Sequence, residues 1–408
     1  MGKYDSFFLL DRETARQYAV EVLHYFAPDE ETLCEEIGDG NINYVFRLRS
    51  LRDGRSLIIK QADRLLRSSG RPLDQNRSRI EAAVLKLEGE LAPGLVPELY
   101  HYDEVMAATA MEDVSAYGNL RKELAENRVY PHLAANLSVF TVDTLLPTTD
   151  LVLDAEEKKR RVRFFTNPEL CKITEDLVLT EPYDDYKGRN ILFPGNEDFV
   201  AHMLYQNVAL HAEIAGLRLN FMNNAQALLH GDLHTGSVFA NRDGIKVLDP
   251  EFAFYGPMGY DIGNVIGNLF FAWANKCFAQ AESRAAAEAA GALENTIAEY
   301  YDRTRGRLEV RYDELVELPL YRVQAFRDGW IASVMADAAG YAGTEIIRRT
   351  VGDSKVAEVT SVKEPEQRIP MERALITLGI SLIMNRRAFR EGRELTELFR
   401  DVLRRGEA

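Results

Sequence analysis

The stretch Leu228-Leu229-His230-Gly231-Asp232-Leu233-His234-Thr235-Gly236-Ser237-Val238-Phe239 constrains this chain more than any other. Two apolar residues run into a His-Gly-Asp turn, and a short apolar segment ending at Ala240 follows. Asp243-Gly244 marks a second turn. Ile245-Lys246-Val247-Leu248 then leads into Asp249-Pro250-Glu251. Short apolar, β-branched runs bounded by Gly and Asp read as a hairpin. A hairpin between Asp232 and Asp249 returns both carboxylates to the same edge. Acids so placed suit phosphoryl transfer: one orients or deprotonates an acceptor hydroxyl, and the other holds a divalent ion against phosphate oxygens. Two rival readings share the pattern. One is a polar hairpin with incidental acids. The other is a metal hydrolase using His230, Asp232 and His234, although His24, His101, His132, His202 and His211 are scattered and complete no ligand set.

The residues upstream change texture twice. A helix is expected over 12–26, stopped by Pro28. Strands follow around 33–37, 44–49 and 56–60, joined by turns at Gly38-Asp39-Gly40-Asn41 and Asp53-Gly54. A helix over 78–89 and two more strands within 95–112 complete a sheet-rich unit. Residues 114–408 show helical periodicity at 119–145, 197–216, 280–305, 312–340 and 371–388. The segment 147–195, with Pro147, Pro168, Pro182 and Pro194, reads as an irregular functional insertion. The expected fold is therefore α+β and bilobal, with a small β-rich lobe over 1–113 and a large, mainly helical lobe over 114–408.

Charge narrows the partners. Against 49 Lys and Arg stand 64 Asp and Glu, a net charge of −15 with no basic block. Such a chain is a poor general binder of nucleic acid or anionic membrane. The apolar stretch near 262–274 is interrupted by Gly and Asn and is too short to span a bilayer. The start of the chain lacks the pattern of a secretory signal, and the three cysteines, Cys34, Cys171 and Cys277, suggest no disulfide framework. A reducing cytoplasm is the expected setting.

The His-Gly-Asp turn and Asp249-Pro250-Glu251 resemble the catalytic core of the protein-kinase-like fold in its small-molecule kinase branch, which includes aminoglycoside phosphotransferases and choline kinases. They stand where protein kinases carry His-Arg-Asp and Asp-Phe-Gly. The wider wording, His230 to Ser237 and Asp249-Pro250-Glu251-Phe252-Ala253-Phe254-Tyr255-Gly256-Pro257, is similar to the methylthioribose kinase family. So are Phe165-Thr166-Asn167-Pro168-Glu169-Leu170-Cys171 and the pair Arg348-Arg349. Ser237 occupies the place where the broader superfamily has a metal-binding Asn; Glu251 is then the second oxygen donor for the metal, a substitution shared with methylthioribose kinases.

The resemblance implies ATP-dependent phosphorylation of the anomeric hydroxyl of 5-methylthioribose in methionine salvage, with a homodimer as the family's assembly. It implies Asp232 as catalytic residue, with Arg348 and Arg349 beside it in the sugar pocket. Two adjacent arginines near a helix end are also common surface charges. ATP is assigned to Gly40, Asn41, Asn43, Lys60, Glu112, Asp113, Val114, Asp249, Pro250 and Glu251, and Mg²⁺ to Asp249 and Glu251. The partner of Lys60 is Glu81 or Glu88. Asp261 reads as a helix N-cap that also receives N–H groups from the catalytic turn. Another acceptor (an aminoglycoside, choline or homoserine) fits the same kinase core. A catalytically dead nucleotide-binding module is the remaining alternative, and the intact Asp232, Asp249, Glu251 and Lys60 set argues against it.

Overall fold

A computed structural model of the chain describes residues 2–38, 43–65 and 74–406. The first lobe is built on a five-stranded antiparallel sheet, ordered β1-β2-β3-β5-β4. Its strands are β1 (Thr32–Glu36), β2 (Tyr44–Ser50), β3 (Ser56–Gln61), β4 (Leu99–Asp103) and β5 (Ala108–Glu112). Central β3 pairs with both β2 and β5, and Lys60 stands opposite Val45 and Thr109. Helix α1 (Arg12–Glu21) starts on an Asp11 capping box and packs Ala15, Tyr18 and Ala19 against Phe46, Leu48, Leu57 and Ile59. It ends short of the expected Phe26, because His24 adopts a left-handed φ of 50° that takes the chain out of the helix. Helix α2 (Asn76–Leu91) buries Ile80, Glu81, Val84 and Glu88.

The second lobe is mainly helical. After β6 (Gly118–Asn119) come α3 (Leu120–Ala125) and α4 (Leu133–Leu145). The expected irregular insertion instead holds two helices, α5 (Ala155–Phe164) and α6 (Pro168–Leu177). Asp154 caps the first, and Pro168 occupies the first turn of the second, where a missing N–H is harmless. The prolines thus punctuate helices rather than exclude them. Helix α7 (Glu197–Val200) passes through a π-helical turn, Ala201–Tyr205, towards α8 (Val208–Asn223). The predicted hairpin then appears as β7 (Ala227–Leu228), β8 (Val238–Ala240) and β9 (Ile245–Val247), with β10 (Tyr255–Gly256) paired to β7. The remaining helices are α9 (Gly259–Ala279), α10 (Arg284–Leu315), α11 (Gln324–Val351), α12 (Ala357–Thr360), α13 (Pro365–Met384) and α14 (Gly392–Gly406). The expected single helix over 312–340 is divided between α10 and α11, with Pro319 in the connection.

Helix α9 is the centre of this lobe, buried from Gly259 to Lys276. The interrupting glycines are its contact points. A Cβ on Gly263 would lie 2.5 Å from the Ala338 carbonyl oxygen and 2.6 Å from the Ala342 nitrogen; on Gly259 it would lie 2.6 Å from the Ala338 nitrogen. Spaced four residues apart, they form one face on which α11 lies backbone to backbone. Among the described residues no helix is long and apolar enough to cross a membrane. The lobes meet where Val247 N–H donates to the Leu95 carbonyl at 2.8 Å.

Candidate active site

The His-Gly-Asp turn, the candidate catalytic turn, follows β7. Gly231 has φ of 84°, and a Cβ there would sit 2.3 Å from the Phe252 carbonyl oxygen, so a glycine is needed twice over. The N–H groups of His230 and Gly231 donate to Asp261 Oδ2 (2.7 Å) and Oδ1 (3.0 Å). Asp261 lies inside the first turn of α9, after the cap position Met258. Its N-cap role is therefore not formed, and its carboxylate braces the turn instead. His230 Nε2 donates to the Leu248 carbonyl at 2.8 Å, linking the turn to the far strand of the hairpin. Burial pulls its imidazole down to about 4. Committed to that bond, His230 is not part of a His-Asp-His metal cluster; among the described residues no group of three or more His, Cys, Asp or Glu lies ready for a metal.

Asp232 faces three positive or proton-bearing groups. His234 Nε2 lies 3.4 Å from Oδ2, and the Nη2 atoms of Arg348 and Arg349 each lie 3.6 Å from Oδ1. His234 Nδ1 accepts from the N–H groups of Gly236 (3.0 Å) and Ser237 (3.1 Å), so the ring proton is on Nε2, towards Asp232. Burial alone would raise the Asp232 carboxyl. His234 and the two guanidiniums outweigh it and hold the carboxyl far below the usual range. Ser237 Oγ donates to the Asp232 carbonyl at 3.1 Å and so serves the loop's own backbone.

On the other side of the hairpin, Asp249 takes a left-handed conformation (φ 65°, ψ 47°) and is half exposed. Lys60 Nζ reaches Asp249 Oδ1 at 2.5 Å and Glu81 Oε1 at 2.6 Å. The partner glutamate is therefore Glu81. Burial pulls the Lys60 ammonium down, but Asp249 and Glu81 raise it further, and it stays charged. Pro250 opens a buried 3₁₀ turn, Pro250–Phe252. Glu251 accepts from Asn43 Nδ2 at 3.3 Å and lies 3.6 Å from Arg77 Nε. Arg77 also donates to Asn43 Oδ1 at 3.1 Å. Asn167 Nδ2 holds the carbonyls of Glu251 (2.9 Å) and Ala253 (3.2 Å).

The linker residues have engaged side chains. Glu112 pairs with Lys246 Nζ at 2.8 Å, Asp113 with Arg47 Nε at 3.4 Å, and Val114 is buried. Gly40 and Asn41 lie outside the described residues. The structure thus gathers Asp232 with Arg348 and Arg349, Lys60 with Asp249, and Asn43 with Glu251. Sequence reasoning passed over Arg77, which sits one helical turn before Glu81 on the same face of α2. His234 entered there only in the metal-hydrolase reading, whereas its Nε2 lies 3.4 Å from Asp232 Oδ2.

Comparison with known proteins gives the family. Residues 33–306 match the phosphotransferase enzyme family. The methylthioribose kinase of Geobacillus thermodenitrificans is 37% identical over 383 residues, spanning 92% of this chain and 93% of that one. The methylthioribose kinase of Erwinia tasmaniensis is 36% identical over 389 residues, spanning 94% and 95%. A solved Plasmodium vivax ethanolamine kinase is 12% identical, with coverage of 92% and 91% and a TM-score of 0.48. By its profile match and by its near full-length relatives, the chain belongs to the phosphotransferase enzyme family and, within it, to the methylthioribose kinase family.

Proposed function

We propose that this enzyme transfers the γ-phosphoryl group of ATP to the anomeric hydroxyl of 5-methylthioribose, giving the sugar 1-phosphate and ADP. One observation carries the chemistry: Asp232, flanked by two buried guanidiniums, lies across a hairpin from the Lys60-bound Asp249. The anomeric oxygen attacks phosphorus, the bond to the ADP oxygen breaks, and the hydroxyl proton passes towards Asp232. A carboxylate with so low a proton affinity is a weak base, so it acts chiefly by holding the hydroxyl in line. Arg348 and Arg349 bind sugar hydroxyls and offset the charge on the moving phosphoryl group. Lys60 steadies the nucleotide phosphates. Since the side chains of Glu112 and Asp113 are occupied, the nucleobase is recognised by backbone groups of the 112–114 linker, which we take as the boundary between lobes at 113/114.

The residues fit a magnesium ion. Asp249 is half exposed despite its bond to Lys60, and Glu251 follows two positions later. Both would offer the hard oxygens Mg²⁺ prefers. When bound, the ion would neutralise phosphate charge and orient the γ-phosphate. Family membership likewise supports methionine salvage as the working setting, and a homodimer is the assembly we propose for it. The three unpaired cysteines suit a reducing cytoplasm.

The test is a substrate panel with Mg²⁺-ATP, read by ADP release and by the phosphorus spectrum of the product. Methylthioribose is expected to turn over, and Asp232→Ala to lower kcat by about 10²- to 10⁴-fold with ATP binding retained. Turnover of choline, homoserine or an aminoglycoside with methylthioribose inert would refute the assignment.

A further inference from the structure

Arg348 and Arg349 are neighbours on a helix, and adjacent helical side chains leave the axis about 100° apart. Left to themselves they would not point at one oxygen, and their like charges repel. Both nevertheless place Nη2 at 3.6 Å from Asp232 Oδ1. Glu345 accounts for this. It lies three residues before Arg348 and four before Arg349, on the face that both can reach. Its Oε2 accepts from Arg348 Nε at 2.5 Å, and its Oε1 from Arg349 Nε at 3.1 Å. Oε1 also accepts from Asn268 Nδ2 at 3.0 Å, which ties the carboxylate to α9. Asn268 Oδ1 in turn accepts from Arg121 Nη2 at 3.1 Å, and the Arg121 N–H donates to the Thr235 carbonyl of the catalytic loop at 3.1 Å.

The contacts close a ring that runs from the catalytic loop through Arg121, Asn268, Glu345 and the arginine pair back to Asp232. We infer that Glu345 is a positioning residue that holds both arginines by their Nε atoms and aims their outer nitrogens at the acceptor site. Its carboxylate is 1% exposed, and Gly267 leaves room for it: a Cβ there would lie 3.2 Å from Glu345 Cβ. A glutamine of the same shape cannot serve, because its amide nitrogen would face a guanidinium N–H with a donor, and it would leave two buried cations with Asp232 as their one remaining carboxylate here.

The inference rests on the proposed reading that the arginine pair meets the sugar. In Glu345→Gln, the KM for methylthioribose should rise and kcat fall by about ten- to a hundredfold, as expected for misplaced binding groups, while the KM for ATP stays within about twofold. Glu345→Asp, which keeps the charge, should recover part of the loss. If the glutamine variant fails to fold, Asn268→Ala should show the same split on a smaller scale. Sugar parameters within about twofold of wild type, or equal rises in both KM values, overturn the inference. A wild type inert towards methylthioribose removes the acceptor assignment alone. The ring is then decided by the Arg348 and Arg349 Nε–H signals in nuclear magnetic resonance. Exchange protection in wild type that is lost in Glu345→Gln supports it, and unprotected wild-type signals refute it.

Discussion

His230 ties the His-Gly-Asp turn to the far side of the hairpin. Its Nε2 proton is committed to the Leu248 carbonyl, and its folded-state value of about 4 lies below the ordinary 6.5. Between these values the unfolded chain binds a proton that the native imidazole refuses, so stability is present at neutral pH and is lost as pH falls through 6.5 towards 4. Urea unfolding at about pH 7.5 and about pH 5 should show a change in stability that is about 2 kcal/mol less favourable in wild type than in His230→Gln. Asp261, which burial pushes up to about 7, contributes with the opposite sign, but it does so in both proteins and cancels in the comparison. Unchanged pH dependence in the variant would show that His230 titrates freely. The choice between Glu81 and Glu88 belongs to the same scale. Seven residues apart, both fall on one helical face, so periodicity alone leaves them equivalent. Both are buried, and their partners separate them: Glu81 reaches Lys60, whereas burial and Asp261 raise the Glu88 carboxyl far above the ordinary range.

Among the elements, α9 and α11 matter most, because one carries Asp261 and Asn268 and the other carries Glu345, Arg348 and Arg349. Their backbone contact depends on Gly259 and Gly263. Gly263→Ala would push a methyl group into the Ala338 carbonyl and should destabilise by about 1–3 kcal/mol. Gly291 and Gly306 on α10 face open space. Gly291→Ala should instead stabilise by about 0.5–1 kcal/mol, since alanine loses less backbone freedom in a helix. Thermal unfolding of the pair checks both signs; a neutral Gly263→Ala would mean the helices can slide apart. The glycine spacing was visible in the sequence, where it served only to argue against a membrane span. The two helices inside 147–195 were hidden by prolines at positions that helices tolerate.

At the level of the whole molecule, the site lies between lobes that must hold a register. Lys246, on β9, donates to the Val96 carbonyl at 3.1 Å and to Glu112 at 2.8 Å, joining the hairpin to the linker. Lys246→Ala leaves Glu112 without that partner and loosens the linker. The KM for ATP should rise about tenfold while that for the sugar stays constant, since a lost charge-assisted bond is worth about 1.5–3 kcal/mol. Equal KM values in wild type and variant would show that the lobes keep their register without this lysine.

Turn signals, strand alternation and the spacing of Asp232 from Asp249 are local, and local patterns determine hairpins. For that reason the β-rich lobe and the hairpin that carries Asp232 and Asp249 were legible in the chain itself, whereas Lys60 was singled out only by the family resemblance. Which glutamate meets Lys60, how Arg77 and Asn43 embrace Glu251, and how Glu345 aligns two arginines were decided only by tertiary packing. Each depends on the depth and angle at which α2, α9 and α11 dock. Hydrophobic periodicity names the face a helix buries but not the polar atom it meets there.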